Sequence, residues 1–84
     1  MPNEAISYRA ECGTTLREGD RAYDYYSMKP GVIGRPASLS TNDGWFYFRH
    51  DDGSELLLNG QRICSLAFAA RREFPGALAA LAAA

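Results

Sequence analysis

The chain has little lysine, histidine or cysteine, and no excess of charge of either sign. Across 84 residues, Lys+Arg total 9 and Asp+Glu total 10, a net charge of −1. That balance supplies no whole-molecule field to draw in nucleic acid or an anionic membrane. Lys29 is the one lysine, and arginine supplies every other cation. With the abundant alanine, this bias matches GC-rich coding. The two cysteines, Cys12 and Cys64, lie far apart, which reads as free thiols in a reducing cytosol. No run of about 18 apolar residues exists to form a membrane helix. Met1-Pro2-Asn3-Glu4 is neither basic nor followed by an apolar stretch, so no secretory leader is expected and the expected location is cytoplasmic. Nucleophile motifs, phosphate loops and dinucleotide fingerprints are also missing. Gly31-Val32-Ile33-Gly34 lacks the lysine and hydroxyl that a phosphate cradle needs.

What the chain does have is a hairpin. Trp45-Phe46-Tyr47-Phe48-Arg49-His50 and Glu55-Leu56-Leu57-Leu58-Asn59 flank Asp52-Gly53. An Asp-Gly pair between apolar runs predicts a tight reversal, because glycine adopts positive φ without steric cost. With Asp52 and Gly53 as the two central residues, His50 faces Glu55, Phe48 faces Leu57 and Phe46 faces Asn59. Tyr47 and Leu58 then share the other surface with Arg49 and Leu56. Side chains alternate with period two, so both surfaces carry large apolar groups and one calls for a cover.

The remaining elements are short. Ala5 to Cys12 alternates, with Ile6, Tyr8, Ala10 and Cys12 on one face of a predicted strand. Thr14 to Asp20 reads as a connector. Arg21 to Tyr26 is a second strand, in which Asp24 needs partners if it points inward. Lys29-Pro30-Gly31 reads as a reversal, Val32 to Arg35 as a third strand, and Ser38 to Gly44 as a polar, mobile loop. Asn59-Gly60 predicts a turn and Ile63-Cys64 a strand. Ser65 suits the N-cap of a helix from Leu66 to Phe74, stopped by Pro75-Gly76. Residues 1–76 therefore form one domain, and Ala77 to Ala84 an alanine-rich tail. Too short to be firm alone, the tail either frays or extends the helix past Pro75.

The order of signals from Glu18 to Leu66 resembles the small Src-homology-3-like β-barrels, including the KOW and Tudor kinds. The matching pieces are Gly19-Asp20-Arg21-Ala22-Tyr23-Asp24-Tyr25, then Lys29 to Arg35, then Gly44 to Ser54, then Arg62-Ile63. Asp24 and His50 stand where such barrels place apolar core residues, and Ala5 to Cys12 adds a strand. The resemblance implies a mainly β fold: a barrel of five or six short strands with a short C-terminal helix. Barrels of this kind often bind through aromatics on loops and strand faces. In style the chain also resembles small proteins of phages and mobile elements.

Candidate functional residues follow from chemistry. His50 is the only histidine and the natural acid–base group, with Glu55 as its expected cross-strand partner. A hydrogen-bonded pair at the hairpin end accounts for both without catalysis. Cys12, His50 and Cys64 could be imagined on zinc, but no close cysteine pair supports it, and no metal or cofactor is expected. Tyr23, Tyr25, Tyr26, Trp45 and Tyr47 offer rigid apolar area with polar tips. Contact surface and core cover are both open to them. Arg35, Arg49, Arg62, Arg71 and Arg72 form either a basic patch or scattered solvated charge. The expectation is a non-enzymatic binding module that docks on a protein or nucleoprotein through Tyr23, Tyr25, Trp45, Tyr47, Arg35 and Arg49. One concrete form is a phage or mobile-element inhibitor of a host machine such as a defence complex. The alternative is an RNA- or DNA-binding accessory protein of the KOW type. Nothing in the sequence sets the oligomeric state.

Overall fold

A curled antiparallel sheet of five strands forms the centre of the molecule, in a computed structural model described for residues 7–37 and 44–83. The elements are β1 (Ser7–Arg9), β2 (Thr15–Arg17), β3 (Arg21–Asp24), β4 (Lys29–Pro36), β5 (Trp45–His50), β6 (Glu55–Asn59), β7 (Ile63–Cys64), α1 (Leu66–Arg71) and α2 (Ala77–Ala83). The large sheet runs β6-β5-β4-β3-β7, and β1 pairs with β2 as a separate hairpin. The expected places of Ile6 and of the loop from Ser38 to Asp43 lie outside the described residues.

The reversal at Gly53 forms as expected, but with a different register. The His50 N–H donates to the Ser54 carbonyl and the Gly53 N–H to the His50 carbonyl, with Gly53 at φ 96°. Asp51, Asp52 and Gly53 together make the loop, a type I turn completed by a glycine bulge. Phe48 therefore faces Leu56, Phe46 faces Leu58, and Arg49 faces Glu55. That one-residue change corrects the expected pairing and sorts the side chains. Phe46, Phe48, His50 and Leu58 are buried, whereas Trp45, Arg49, Glu55 and Leu57 are exposed.

The inner face is roofed by the β1–β2 hairpin. Tyr8 and Leu16 stand opposite each other and reach down to Ala22, Ile33, Phe46, Phe48, Leu58 and Ile63. The Tyr8 and Phe46 rings lie 4.3 Å apart, centroid to centroid. Thr15–Arg17, expected to be connector, is thus a strand. Its Leu16 is the apolar contact that a connector reading overlooks.

Among the described residues the second face is covered at one end only. Tyr23 and Cys64, paired across β3 and β7, point at Leu66, Ala69, Ala77 and Ala80 of the two helices. Ser65 caps α1 by accepting the Phe68 N–H. Glu73 at φ 58° and Gly76 at φ 75° turn the chain after α1. The alanine-rich segment that follows is a second helix resting on α1, and its small side chains permit that close approach. The reversal between β3 and β4 lies at Tyr25–Met28, with Met28 at φ 59°; the expected one at Lys29-Pro30-Gly31 is instead the start of β4. Asp24 explains the difference. Its Oδ1 accepts the Tyr26 and Ser27 N–H groups and so turns the chain early.

Candidate functional site

Two groups of polar and aromatic side chains remain after the core is filled. One is a line of hydrogen bonds at the hairpin tip, running from the buried Asp24 and His50 out to the exposed Ser54 and Asp52. The other is the end of the second sheet face that no described residue covers.

In the first group, the His50 Nε2 lies 2.9 Å from the Asp24 Oδ2, with the pair 4 % and 0 % exposed. The His50 Nδ1 lies 2.9 Å from the Ser54 Oγ. Ser54 in turn donates its hydroxyl to the Asp52 Oδ1 at 2.7 Å, and its N–H to the same oxygen. Two outer ion pairs flank this line: Arg21 grips Asp51 with both terminal nitrogens, and Lys29 reaches Asp52 at 2.8 Å. His50 pairs with Asp24 and not with Glu55. The register places Glu55 on the opposite surface, beside Arg49. Burial pushes the Asp24 carboxyl up, but bonds from His50, Ser27 and Tyr26 outweigh it and hold the group below the usual carboxylate range. The Asp51 carboxyl is held low chiefly by Arg21, and that of Asp52 chiefly by Lys29.

A serine, a histidine and an aspartate in hydrogen-bonded line suggest nucleophilic catalysis, but the surroundings favour a clamp. The single hydroxyl proton of Ser54 is directed at Asp52. A carboxylate beside the hydroxyl repels the negative charge that an attacked carbonyl would develop. The line instead ties β3, the following turn and the hairpin tip together.

The second group holds the sequence-predicted contact residues, in part. Trp45, Tyr47 and Arg49 alternate with the buried residues of β5 and share the outer face. Arg35 joins them through an irregularity in β4. Ile33 pairs with Phe48 and Pro36 with Phe46, so β4 carries one extra residue opposite Tyr47. Such a bulge re-aims a side chain. The Arg35 guanidinium lies over the Tyr47 ring, 4.6 Å from its centroid. Trp45 is 40 % exposed and Leu57 44 %. A shallow depression of about 430 Å³ beside them is lined by Glu18, Val32, Gly34, Arg35, Arg49 and Glu55. Leu57 and Val32 belong to this face and were missed from sequence. The two-residue turn put Leu57 opposite Phe48, on the other surface from Tyr47.

Tyr23 and Tyr25 lie elsewhere. Tyr23 is wholly buried, donates to the Pro75 carbonyl at 2.7 Å and stacks on Phe74. It pins the α1–α2 corner to the sheet and presents no surface. The Tyr25 hydroxyl donates to the Gln61 carbonyl, and its ring meets that of Tyr26 edge-on. The Arg62 guanidinium lies 4.5 Å from the Tyr26 centroid. This second aromatic cluster sits by the β3–β4 turn, and Tyr26 is 63 % exposed.

The cysteines and His50 are not gathered. Cys12 and Cys64 pack into the helix-side cluster, whereas His50 lies with Asp24 on the inner face. Among the described residues no group of three or more histidine, cysteine or acidic side chains converges. The thiols differ in environment. Burial, then nearby Cys12, pushes the Cys64 thiol up to about 11. Burial raises Cys12 as well, but hydrogen bonds with Thr14 and Ser65 outweigh it and leave that thiol below its usual value. The thiolate is the reactive form. Iodoacetamide on the folded protein should therefore alkylate Cys12 first, and Cys64 only after denaturant is added. Peptide mapping with equal labelling of both would contradict this.

Compared with family models, curated proteins and solved structures, the chain matches none.

Proposed function

We propose that this chain is a non-enzymatic binding module, Src-homology-3-like in plan, that docks on a protein through the outer face of β4, β5 and β6. The carrying observation is the uneven cover of that face. The helices close the β3–β7 end, while among the described residues nothing closes the end bearing Trp45, Tyr47 and Leu57. A partly exposed tryptophan and leucine, with an arginine stacked on a tyrosine, is the composition of an interaction hot spot. Arg35 and Arg49 stand at the rim with Glu18 and Glu55 close by. That mixed rim suits a protein partner better than a phosphate backbone, whose binding is dominated by cations. An inhibitor of a host machine is one form of this role. Small size and the clamp-like use of His50 and Ser54 support a part that binds without transforming its target.

The test is affinity capture with wild-type and Trp45→Ala protein in parallel, followed by direct titration of whatever wild type retains. Trp45→Ala should weaken that complex about 30-fold, the effect of losing an aromatic hot spot of about 2 kcal/mol. Thermal stability should hardly move, since Trp45 lies outside both core clusters. A complex indifferent to both Trp45→Ala and Leu57→Ala removes the reading.

The second reading, an RNA- or DNA-binding accessory protein of the KOW type, draws on Tyr25, Tyr26 and Arg62. An exposed ring backed by a guanidinium offers a stacking platform for a base. Oligonucleotide binding that weakens steeply with salt and is lost in Tyr26→Ala would favour it. No binding at low salt would end it.

A further inference from the structure

The large sheet has two edges, and they are not alike. At one edge β7 is two residues long, and the Ile63 carbonyl there already accepts the Glu11 N–H. At the other edge β6 pairs only with β5 among the described residues. The hydrogen-bonded pair His50/Ser54 sets the alternation along this hairpin. Ser54, Leu56 and Leu58 turn their backbone groups to β5, so Glu55 and Leu57 turn theirs outward, while Asn59 caps the 3-10 turn that follows and keeps its N–H for a neighbouring strand. Edge strands that must stay single are commonly protected by proline, by lysine or by a bulge. Glu55-Leu56-Leu57-Leu58-Asn59 has none of these, and its register with β5 is unbroken.

We infer that β6 is a self-association edge, pairing antiparallel with β6 of a second copy of this chain about a twofold axis at Leu57. The outward backbone groups fit that operator, because Leu57 opposes Leu57 as a hydrogen-bonded pair and the Asn59 N–H faces the Glu55 carbonyl of the second copy. The side chains fit it too. Leu57, 44 % exposed, meets its own copy on the outer face, while Leu58 stays wholly within the core. Glu55 never faces Glu55, so the operator sets no like charges opposite each other. Each Glu55 also keeps Arg49 as its neighbour on β5. The contact is one short strand wide, so the dimer is weak and forms reversibly. Leu57 belongs to both surfaces, whereas Trp45 lies one strand further in and serves docking alone.

Sedimentation velocity from low micromolar to millimolar protein tests this. The expected result is a reversible monomer–dimer equilibrium, abolished by Leu57→Lys. Asn59→Asp retains an acceptor for the Gln61 N–H but sets a carboxylate opposite Glu55 of the partner copy. It should weaken the dimer several-fold, and Glu55→Lys in the same chain should restore it. Circular dichroism confirms that each variant is folded, and Trp45→Ala should leave the equilibrium unchanged. Monomer at every concentration, or a dimer indifferent to Asn59→Asp, overturns the inference.

Discussion

Replacing Asp24 by alanine should cost about 3 kcal/mol or more, since each buried donor left without its acceptor costs about 1–3 kcal/mol. For a chain of this length the whole stability is on the order of 4–13 kcal/mol. The variant should therefore be largely or marginally unfolded at room temperature. Two losses combine. His50, 4 % exposed, loses its only acceptor on Nε2 and is left as a buried donor without a partner. The Tyr26 and Ser27 N–H groups lose the carboxylate that turns the chain after β3. Asp24→Asn should cost less, since its carbonyl oxygen can still accept from the turn. Replacing both Asp24 and His50 by apolar residues of similar volume should recover part of the loss, because no unpaired imidazole then remains inside. If Asp24→Ala melts within a few degrees of wild type, the buried pair is not what fastens the hairpin tip.

The same group sets the response to acid. The Asp24 and Asp51 carboxyls are held below their ordinary value of 3.8 in the folded state. A carboxyl depressed by folding adds stability that is fully present above its unfolded value and is lost as pH falls through the folded one. The stability that these two carboxyls add should be fully present above about pH 5 and drop between there and about pH 2. In Asp24→Asn, provided it remains folded, the drop should be shallower. An unchanged acid limb in that variant would assign the sensitivity to Asp51 and Asp52 alone.

The hairpin, the Ser65 cap, the β7 strand and the mainly β class were legible because each rests on local chemistry. Gly53 needs positive φ, Ser65 offers an oxygen to the Phe68 N–H, and an aromatic and a leucine run flank the reversal. What could not be read locally was set by contacts distant in sequence. The register turned on whether two or three residues close the loop, and Asp52-Gly53 is compatible with both. The answer decides which face Leu57 occupies, and so the make-up of the candidate surface. Likewise the two-residue turn makes Glu55 the cross-strand partner of the single histidine, whereas its partner is Asp24, brought near by β4. Asp24 was recognised as a residue needing partners, but a sequence does not say from which strand they come. Tyr23 looked like contact surface because tyrosine serves either role. Its burial depends on a helix corner that a run of alanine and leucine does not advertise.

Lys29-Pro30-Gly31 gives the second large expectation, since it was read as a turn and is strand. Gly31 is buried in β4 opposite His50, and its φ is not in the left-handed region. Here glycine is required for space. A methyl group at position 31 would run into the Arg49 carbonyl oxygen and lie 2.6 Å from the Phe48 ring. Both are fixed parts of β5, so the strands must separate. Gly31→Ala should cost about 3 kcal/mol or somewhat more, the upper part of the range for overpacking. Gly34→Ala should cost less, because its methyl meets the Tyr47 carbonyl oxygen at 2.9 Å and the bulge there leaves more freedom. Urea unfolding should show the midpoint falling with an unchanged slope for both. The close approach at Gly31 also lets the hairpin tip settle onto β3 and β4, where His50 meets Asp24 and Arg21 meets Asp51. If the methyl lifts the tip, it must also stretch the Asp24–His50 bond. Measured against Asp24→Asn, the Gly31→Ala penalty should then be smaller than in wild type, with a coupling of about 1 kcal/mol or more. Strict additivity would show that Gly31 serves the strand alone and that the polar clamp closes independently of it.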